Sequence, residues 1–179
     1  MADTTNETNP ILIFSYGTLK LNFPNYNRIQ NLIRQNSASF IGIYVTDQSY
    51  PLIIGPFGIP YLVNLPGATA SHRVKGELYS VSHGGAALLD EFEGVSIGHY
   101  ERLPIRVAKY CEGNENDVVL VEEEAYFAHR SFGEKMWMKR GRIGLSEYSE
   151  GNGNEYVRKE NRKCGSNNIL DSIEMFLSS

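Results

Sequence analysis

The first apolar run of the chain predicts a buried strand. Residues 11–16 read Ile-Leu-Ile-Phe-Ser-Tyr and are followed by Gly17. A short, nearly continuous apolar run that ends at a glycine is typical of a strand buried on both faces that enters a loop. Functional groups are often found at such strand ends, so the loop that follows is a candidate site.

Helical spacing follows this strand. Within residues 21–36, apolar side chains recur every three or four positions after Pro24 and Asn25, which are helix start signals. The apolar positions are Ile29, Leu32 and Ile33. The pattern predicts a short helix that packs on the first strand.

The next part of the chain predicts several short strands. Residues 39–65 carry apolar runs at 40–45, 52–54 and 61–65, separated by proline and glycine. A further strand is predicted at residues 74–81, where Val74, Gly76 and Leu78 share one face. Gly76 has no side chain, which allows another backbone or a ligand to approach closely.

A second amphipathic helix is predicted between Ser82 and Gly94, which are typical start and end residues. Its apolar face is expected to contain Leu88, Leu89 and Phe92. Asp90 and Glu91 are expected to lie well away from that face.

Glu93 flanks the same apolar face, one turn beyond Leu89. A carboxylate held against apolar surface is poorly hydrated, so its pKa should rise and it becomes able to exchange protons near neutral pH. Glutamates on the flank of an amphipathic helix are usually solvated, so the helix alone does not assign chemistry to Glu93.

A β-hairpin is predicted in the second half of the chain. Residues 105–110 and 118–127 are strand-like and flank the polar, turn-rich segment 112–117. Three contiguous glutamates at 122–124 look like an acidic site. Because side chains alternate between faces in a strand, we expect a solvated or loop-like kink there instead.

Residues 130–153 mix Trp137 with methionines, glycines and charges and show no clean periodicity. The segment predicts a long loop that either covers a pocket or is a mobile surface insertion.

Length and composition indicate one domain with tails. The chain has 179 residues, of which 41% are hydrophobic, enough to bury a sizeable core. Eleven tyrosines, eight phenylalanines and seventeen glycines favour strands over a helical bundle, so the class is α+β or β-rich. We expect a disordered tail at 1–9, a single domain at 10–165, and a C-terminal tail or short helix at 166–179.

Charge argues against nucleic acid and membrane surfaces as partners. The net charge is −4 and the pI is about 5.6, so the chain has no broad cationic field. The basic cluster at 158–163 is interrupted by Glu160 and is expected to be a solvated surface segment.

Metal, redox and membrane signals are weak. Cys111 and Cys164 are far apart, and no two of the four histidines have the spacing of ligands on one helix, so we expect no metal. The polar start at residues 1–10 lacks the features of a signal peptide, and no run approaches the roughly 20 apolar residues that span a bilayer. We therefore expect a cytoplasmic protein. The common dinucleotide, nucleotide, serine-hydrolase and zinc-peptidase motifs do not occur.

The loop Tyr16-Gly17-Thr18-Leu19 offers Glu93 a partner. If the backbone turns successive N–H groups toward one point, the loop can bind a carboxylate or a developing oxyanion. The alternative is that Gly17 only makes a turn.

Several motifs then occur in the order seen in one known family. The motifs are Phe-Ser-Tyr-Gly-Thr-Leu-Lys at 14–20, Tyr-Pro-Leu-Ile-Ile at 50–54, Gly-Glu-Leu-Tyr at 76–79, Leu-Asp-Glu-Phe-Glu-Gly at 89–94, Tyr-Glu-Arg at 100–102 and Tyr-Val-Arg-Lys-Glu-Asn-Arg at 156–162. In these motifs and their order the chain resembles γ-glutamylcyclotransferase-like proteins, and within them the γ-glutamylamine cyclotransferase branch, which includes the avirulence-induced-gene family of plants.

The resemblance implies an α+β fold, a small mixed β-barrel with flanking helices. It also implies an enzyme that converts a γ-glutamyl amine or γ-glutamyl amino acid to 5-oxoproline and releases the amine, with no cofactor. Glu93 matches the catalytic glutamate, and Tyr16, Gly17, Thr18 and Leu19 match the substrate-binding loop. The partner is then a small molecule.

Two points stay open. The alternative function is a small-molecule-binding or stress-response regulatory protein that kept the barrel without turnover. Tyr100 and Arg102 either line or brace the site, or are a packing aromatic and a surface salt bridge.

Overall fold

The structure is a computed structural model that describes residues 9–112, 120–162 and 168–179. Its strands are β1 Ile11–Ser15, β2 Ala38–Thr46, β3 Leu52–Ile54, β4 Pro60–Leu62, β5 Lys75–Val81, β6 Tyr100–Lys109 and β7 Leu120–Ala128. Its helices are α1 Tyr26–Arg34, α2 His83–Phe92, α3 Gly133–Lys139, α4 Glu150–Asn154 and α5 Ile169–Ser178. Residues 1–8 of the tail predicted at 1–9 lie outside the described residues.

Five strands close into a barrel in the order β1-β5-β2-β6-β7, because β7 also pairs with β1. β1 and β7 run parallel, with Ile13 beside Glu124, whereas the other barrel neighbours run antiparallel. The hairpin of β3 and β4 extends the sheet beyond β7, with Leu62 beside Phe127. The predicted α+β fold, a small mixed barrel with flanking helices, is confirmed.

The first strand is apolar on both faces because it separates two cores. Phe14 belongs to the core inside the barrel, with Leu78 and Phe127. Ile13 belongs to the core between the barrel wall and the helices, with Ile29 of α1. Burying a side chain of this size stabilises a fold by roughly 1.5 to 3 kcal/mol, so both faces of β1 contribute.

Gly76 allows the close approach that the sequence predicts. A Cβ atom at this position would lie 2.4 Å from the carbonyl oxygen of Ser15 and 2.7 Å from the Phe14 ring. β5 can therefore pack directly under the end of β1, where the candidate loop begins.

α2 begins as predicted, and Leu89 and Phe92 of the expected apolar face pack on the core, but Leu88 does not. The N–H of Gly85 donates to the Ser82 hydroxyl at 3.0 Å, which caps the helix. The expected apolar position Leu88 is 55% exposed, whereas Gly85, Ala86 and Leu89 are buried. The small residues let the helix sit close to the barrel on their own side, which turns Leu88 away.

The predicted hairpin forms from β6 and β7, although most of its turn lies outside the described residues. The expected kink at residues 122–124 is wrong, because these glutamates continue β7 and pair with β6. Glu123 shares the face of Ala125 and Phe127 inside the barrel and is 4% exposed.

The segment 130–153 is neither a long loop nor a surface insertion, contrary to the prediction. It contains α3 and α4, and Met136, Trp137 and Tyr148 are buried in the two cores. Its hydrogen bonds tie it to the barrel, as when the N–H of Leu145 donates to the Leu52 carbonyl at 2.9 Å. Two helices this short show too few turns for periodicity to reveal them.

The C-terminal helix α5 packs on the rest of the fold through the buried Ile173 and several partly buried apolar side chains, Ile169, Leu170, Phe176 and Leu177. Its N-cap is Asn168, whose side-chain oxygen accepts from the N–H of Leu170 at 3.0 Å. The start of this helix lies beside the cavity described below.

Candidate active site

The loop after β1 is held by its own backbone and by Pro60. The N–H of Asn25 donates to the Thr18 carbonyl at 2.9 Å, which ties the loop to the start of α1. Gly17 is required because a Cβ there would lie 2.8 Å from the Pro60 side chain. The glycine therefore permits close packing against β4 instead of a left-handed turn.

The loop presents backbone donors without protein acceptors. The N–H groups of Gly17, Thr18 and Leu19 have no hydrogen-bond acceptor in the part of the chain that the structure describes. The donor that follows them is occupied, because the N–H of Leu21 donates to the Glu77 carboxylate at 3.0 Å. Successive free N–H groups of this kind form a site for a carboxylate or an oxyanion.

Glu93 lies at the C-terminal end of α2. Its N–H donates to the Leu89 carbonyl at 2.8 Å, so Glu93 continues the buried face of the helix by one turn. Gly94 then ends the helix in the left-handed region, with φ of 67°. The chain leaves the helix there, and the Glu93 side chain stays against the barrel.

Glu93 has a strongly shifted proton affinity. It is half-buried, and the surface it keeps borders the cavities described next. Burial raises the pKa of Glu93 to about 8, and the charge of Arg28 offsets part of the rise. A carboxyl with this pKa can both take up and release a proton near neutral pH.

A small cavity of about 30 Å³ joins Glu93 to the loop. Its walls include residues 16–19, Pro60, Tyr100 and Glu93. This volume is enough for a group of about the size of a water molecule. Glu93 and the loop residues with free N–H groups, Gly17, Thr18 and Leu19, all line this space.

A larger cavity of about 660 Å³ adjoins the small one. The two cavities share Thr18, Glu93 and Tyr100. The volume lies in the range of roughly 300 to 1,000 Å³ that is typical of small-molecule sites. The larger cavity can therefore hold a ligand whose end reaches the small cavity.

The side chains of the loop have mainly structural contacts. The Tyr16 hydroxyl donates to the Tyr126 carbonyl at 2.5 Å and accepts from the N–H of Leu62 at 3.2 Å. Leu19 is buried in the core between the barrel wall and the helices. Thr18 accepts from the Asn25 side-chain amide at 2.9 Å through its hydroxyl. What the loop offers to a ligand is therefore mostly its backbone.

Tyr100 and Arg102, which the sequence left open, differ in position. The Tyr100 hydroxyl donates to the Pro60 carbonyl at 2.7 Å, and the ring borders both cavities. Arg102 pairs with Asp90 at 2.8 Å and with Glu124, outside the cavities. Arg102 thus braces α2 against β6 and β7. Asp90, which was expected to lie away from the apolar face of α2, also accepts from the Tyr126 hydroxyl at 2.7 Å.

Sequence reasoning missed His99 as a member of the site. Its Nε2 lies 2.7 Å from the Tyr61 hydroxyl, and its ring borders the larger cavity. Burial, with a smaller contribution from Arg162, lowers the pKa of His99 to about 3, so the ring is neutral. A lone histidine just before a strand gives no spacing signal.

Lys159 and Arg162 also border the larger cavity, although the basic cluster was expected to be simply solvated. The expectation holds for the exposed Arg158 but is wrong for Arg162, which lies over the Phe57 ring at 5.4 Å. The sequence feature that could have pointed to Arg162 is the resemblance of residues 156–162 to a segment of the family.

The described residues contain no group of three or more histidine, cysteine, aspartate or glutamate side chains that could hold a metal ion. Within the same residues, no helix is long and apolar enough to cross a membrane. Cys111 is free and exposed, and Cys164 lies outside the described part of the chain.

The fold and the cavities define a class, a mixed-barrel protein with a small-molecule site beside the end of β1. The family model for γ-glutamyl cyclotransferase, AIG2-like, matches residues 13–150. The chain belongs to this family, and the prediction of an enzyme of the γ-glutamyl cyclotransferase type is confirmed.

Relatives extend the similarity over the whole chain. A protein of Arabidopsis thaliana, provisionally named γ-glutamylcyclotransferase, is 41% identical over 99% of this chain and 97% of its own. γ-Glutamylaminecyclotransferase B of Danio rerio is 33% identical over 83% of this chain and 74% of its own. The crystal structure of an AIG2-like protein from Mus musculus matches with a TM-score of 0.69 and 30% identity, covering 86% of this chain and 99% of that one.

Proposed function

We propose that this enzyme converts a γ-glutamyl amine or γ-glutamyl amino acid to 5-oxoproline and releases the free amine. Glu93 acts as the general acid and base, and residues 16–19 bind the substrate. The observation that carries the proposal is that Glu93 and the loop residues Gly17, Thr18 and Leu19 line one small cavity. The N–H groups of these loop residues have no acceptor among the described residues.

The reaction needs one proton carrier. The α-ammonium group of the substrate gives a proton to the Glu93 carboxylate, and the neutral amine attacks its own γ-carbonyl carbon. A tetrahedral intermediate with a five-membered ring forms. Glu93 then returns the proton to the leaving nitrogen and takes up the second proton from the ring nitrogen as the carbon–nitrogen bond breaks. 5-Oxoproline and the amine are released, and the proton left on Glu93 passes to water or to the free amine. The raised pKa of Glu93 suits both transfers.

Attack within one molecule explains why the scheme includes no cofactor. When nucleophile and carbonyl are held in ring-forming geometry, effective molarities of about 10⁵ to 10⁸ M are known for well-oriented reactions. Holding the substrate folded therefore replaces a covalent intermediate. The walls of the larger cavity, with Tyr100 and His99 on them, would restrict the substrate in this way.

The loop would stabilise one negative group. The free N–H groups can bind either the α-carboxylate of the substrate or the oxyanion that develops during attack. The small cavity accommodates one such group, and the rest of the γ-glutamyl compound would extend into the larger cavity.

The proposal is tested by 5-oxoproline release from a panel of γ-glutamyl amines and γ-glutamyl amino acids. Glu93→Gln removes the proton carrier with little change in shape, and turnover should fall by about 10²- to 10⁴-fold. Glu122→Gln is the matched control, because Glu122 is exposed on β7 and borders neither cavity. Circular dichroism should show all three proteins folded.

Equal turnover by the wild-type protein and Glu93→Gln would contradict the mechanism. If the wild-type protein binds 5-oxoproline, seen as a raised melting temperature, but no member of the panel is turned over, the non-catalytic alternative is favoured instead.

The proposal also places the enzyme in the cytoplasm with a small-molecule partner. A fluorescent fusion that colocalises with a secretory marker would contradict that location.

A further inference from the structure

The loop after β1 is held at its two ends by different contacts. At the first end, the Tyr16 hydroxyl donates to the Tyr126 carbonyl and accepts from the N–H of Leu62. At the second end, the N–H of Leu21 donates to both carboxyl oxygens of Glu77, at 3.0 and 3.2 Å. The free N–H groups at 17–19 lie between these two ends, so both contacts determine where those groups point.

Glu77 reaches the loop because β5 lies beside β1. Glu77 pairs with Ser15, the last residue of β1, so its side chain stands next to the start of the loop. The Tyr79 hydroxyl donates to Oε2 of Glu77 at 2.6 Å, and Glu77 is only 9% exposed. A side chain that is buried and hydrogen-bonded in this way has a fixed orientation.

The contact to Glu77 is not replaced by packing of Leu21, whose side chain is 50% exposed. The other backbone hydrogen bonds of residues 17–24 link these residues to one another or to the start of α1. Among the described residues, Glu77 is therefore the group that ties the backbone of the second end to the barrel.

Lys20 anchors the same end through its side chain. Lys20 is buried, its Nζ donates to the Tyr148 carbonyl at 2.7 Å, and Nζ lies 4.3 Å from the centre of the Phe23 ring. Burial lowers the pKa of Lys20, and the charges of Glu147 and Glu77 offset part of that change. Glu77 therefore also supports this second anchor, because its charge favours the ammonium form of Lys20.

We propose that Glu77 is a positioning residue of the reaction, whose carboxylate fixes the second end of the loop so that the free N–H groups at 17–19 meet the negative group of the substrate. The inference rests on the proposed function and deepens it. Glu77 lines neither the small nor the larger cavity, so it acts on the reaction through the loop. Backbone donors stabilise a charge best when they are already in place, because no reorganisation is then needed during the reaction.

Three variants on β5 test the inference. Glu77→Leu replaces the carboxylate by an apolar side chain of similar size, so the N–H of Leu21 loses its acceptor. In this variant kcat/KM for 5-oxoproline release should fall about 10- to 100-fold, because a displacement of about 1 Å in a site can cost about 10²-fold. Glu77→Gln keeps the length and one acceptor oxygen, so it should recover part of the loss.

Val81→Ala is the matched control. Val81 lies on the same strand, is buried in the core between the barrel wall and the helices, and lines neither cavity. The variant loses core packing, so its melting temperature should fall. At a temperature where all four proteins are folded, its kcat/KM should stay near that of the wild type.

Two further readouts separate positioning from a general loss of structure. The pH at which kcat/KM rises should be the same in Glu77→Leu as in the wild type, because burial and Arg28 shift the pKa of Glu93. In amide NMR spectra, the signals of Gly17, Thr18 and Leu19 should shift in Glu77→Leu. They should shift less in Glu77→Gln, which also removes the charge but keeps an acceptor, and should stay in place in Val81→Ala.

The outcomes distinguish this inference from the proposed function. If kcat/KM in Glu77→Leu is no lower than in Val81→Ala, or if the loop signals do not move, the inference is overturned and the proposed function stands. A shifted pH of the rise in Glu77→Leu would mean that Glu77 acts on Glu93 through its charge, which overturns the inference as well. If the wild-type protein turns over no γ-glutamyl compound, the proposed function is contradicted, and unmoved loop signals would then overturn the inference independently.

Discussion

Two glutamates with raised pKa values lie near opposite ends of β1 and have contrasting surroundings. Glu93 lies beside the loop that follows the end of β1 and borders both cavities. Glu123 lies inside the barrel near the level of Leu12 at the start of β1, because its neighbour Glu124 pairs with Ile13. Burial raises the pKa of Glu93 to about 8 and that of Glu123 to about 7.

The two carboxyls differ in whether a cavity reaches them and in whether hydrogen-bond donors lie nearby. Neither carboxyl oxygen of Glu123 has a hydrogen-bond partner among the described residues, and Glu123 is not among the residues that line the cavities. Glu93 lines a cavity together with Gly17, Thr18 and Leu19, whose N–H groups have no acceptor among the described residues. A raised pKa therefore identifies a candidate acid or base only when a cavity and complementary donors accompany it.

The largest expected effect that distinguishes the two glutamates is on the pH dependence of kcat/KM. Glu93 must be ionised to act as base, so kcat/KM should rise about tenfold per pH unit below pH 8 and level off above it. At higher pH it should fall as the free substrate amine loses its proton. Stopped assays of 5-oxoproline between pH 6 and 10 measure both limbs.

Glu123→Gln should keep this profile, since Glu123 borders no cavity of the site. The pH at which kcat/KM rises should instead shift in a Glu93→Asp variant. If that pH shifts in Glu123→Gln and not in Glu93→Asp, the group that controls activity is Glu123, which contradicts the assignment to Glu93.

The next effect is on stability. In the folded protein the pKa of Glu123 is raised, so ionisation opposes folding as pH rises from about 4.5 to about 7, and the cost is constant above that range. The cost is on the order of 3 kcal/mol. Glu123→Gln should therefore be more stable than the wild type at pH 8 by up to that amount, with the difference vanishing near pH 4.5.

Urea unfolding at the two pH values measures this difference. A stability gain of the same size at both pH values would show that packing and not ionisation causes it. Activity at pH 8 should change little in this variant.

The smallest expected effect concerns the brace outside the barrel. Arg102→Gln removes charged contacts to Asp90 and Glu124 and should lower the free energy of unfolding by about 1 to 2 kcal/mol. Because Asp90 is on the helix that ends at Glu93, kcat should fall modestly. The rise of kcat/KM with pH below about pH 8 should remain.

Arg106→Gln is the matched control for Arg102→Gln. Arg106 is mostly exposed, and its contact to Asp47 is long at 3.9 Å, so the change in stability should stay below about 0.5 kcal/mol. Equal losses in the two variants would argue against a bracing role for Arg102.

Much of the frame could be predicted from local patterns. The run at 11–16, the close approach at Gly76 and the cap at Ser82 depend on short-range rules, and each is present in the structure. Glu93 and the loop at 16–19 were also nominated from the sequence, and the structure brings them to one cavity.

Tertiary contacts explain what the sequence did not predict. Leu88 is exposed because Gly85 and Ala86 determine which side of α2 contacts the barrel. Glu123 is buried because β7 closes the barrel against β1, a pairing that no local pattern encodes. Arg162 joins the site only because the segment after α4 crosses over Phe57, as when the N–H of Val157 donates to the Phe57 carbonyl at 2.8 Å.

The pairing of β1 with β7 also has a consequence for folding kinetics. It joins Ile13 and Glu124, which are separated by more than half of the chain, and such distant contacts form late because closing a long loop costs entropy. Tyr16 completes the connection, since its hydroxyl donates to the Tyr126 carbonyl. During synthesis, the loop can reach its final position only after β7 has left the ribosome, so catalytic competence would report complete barrel closure.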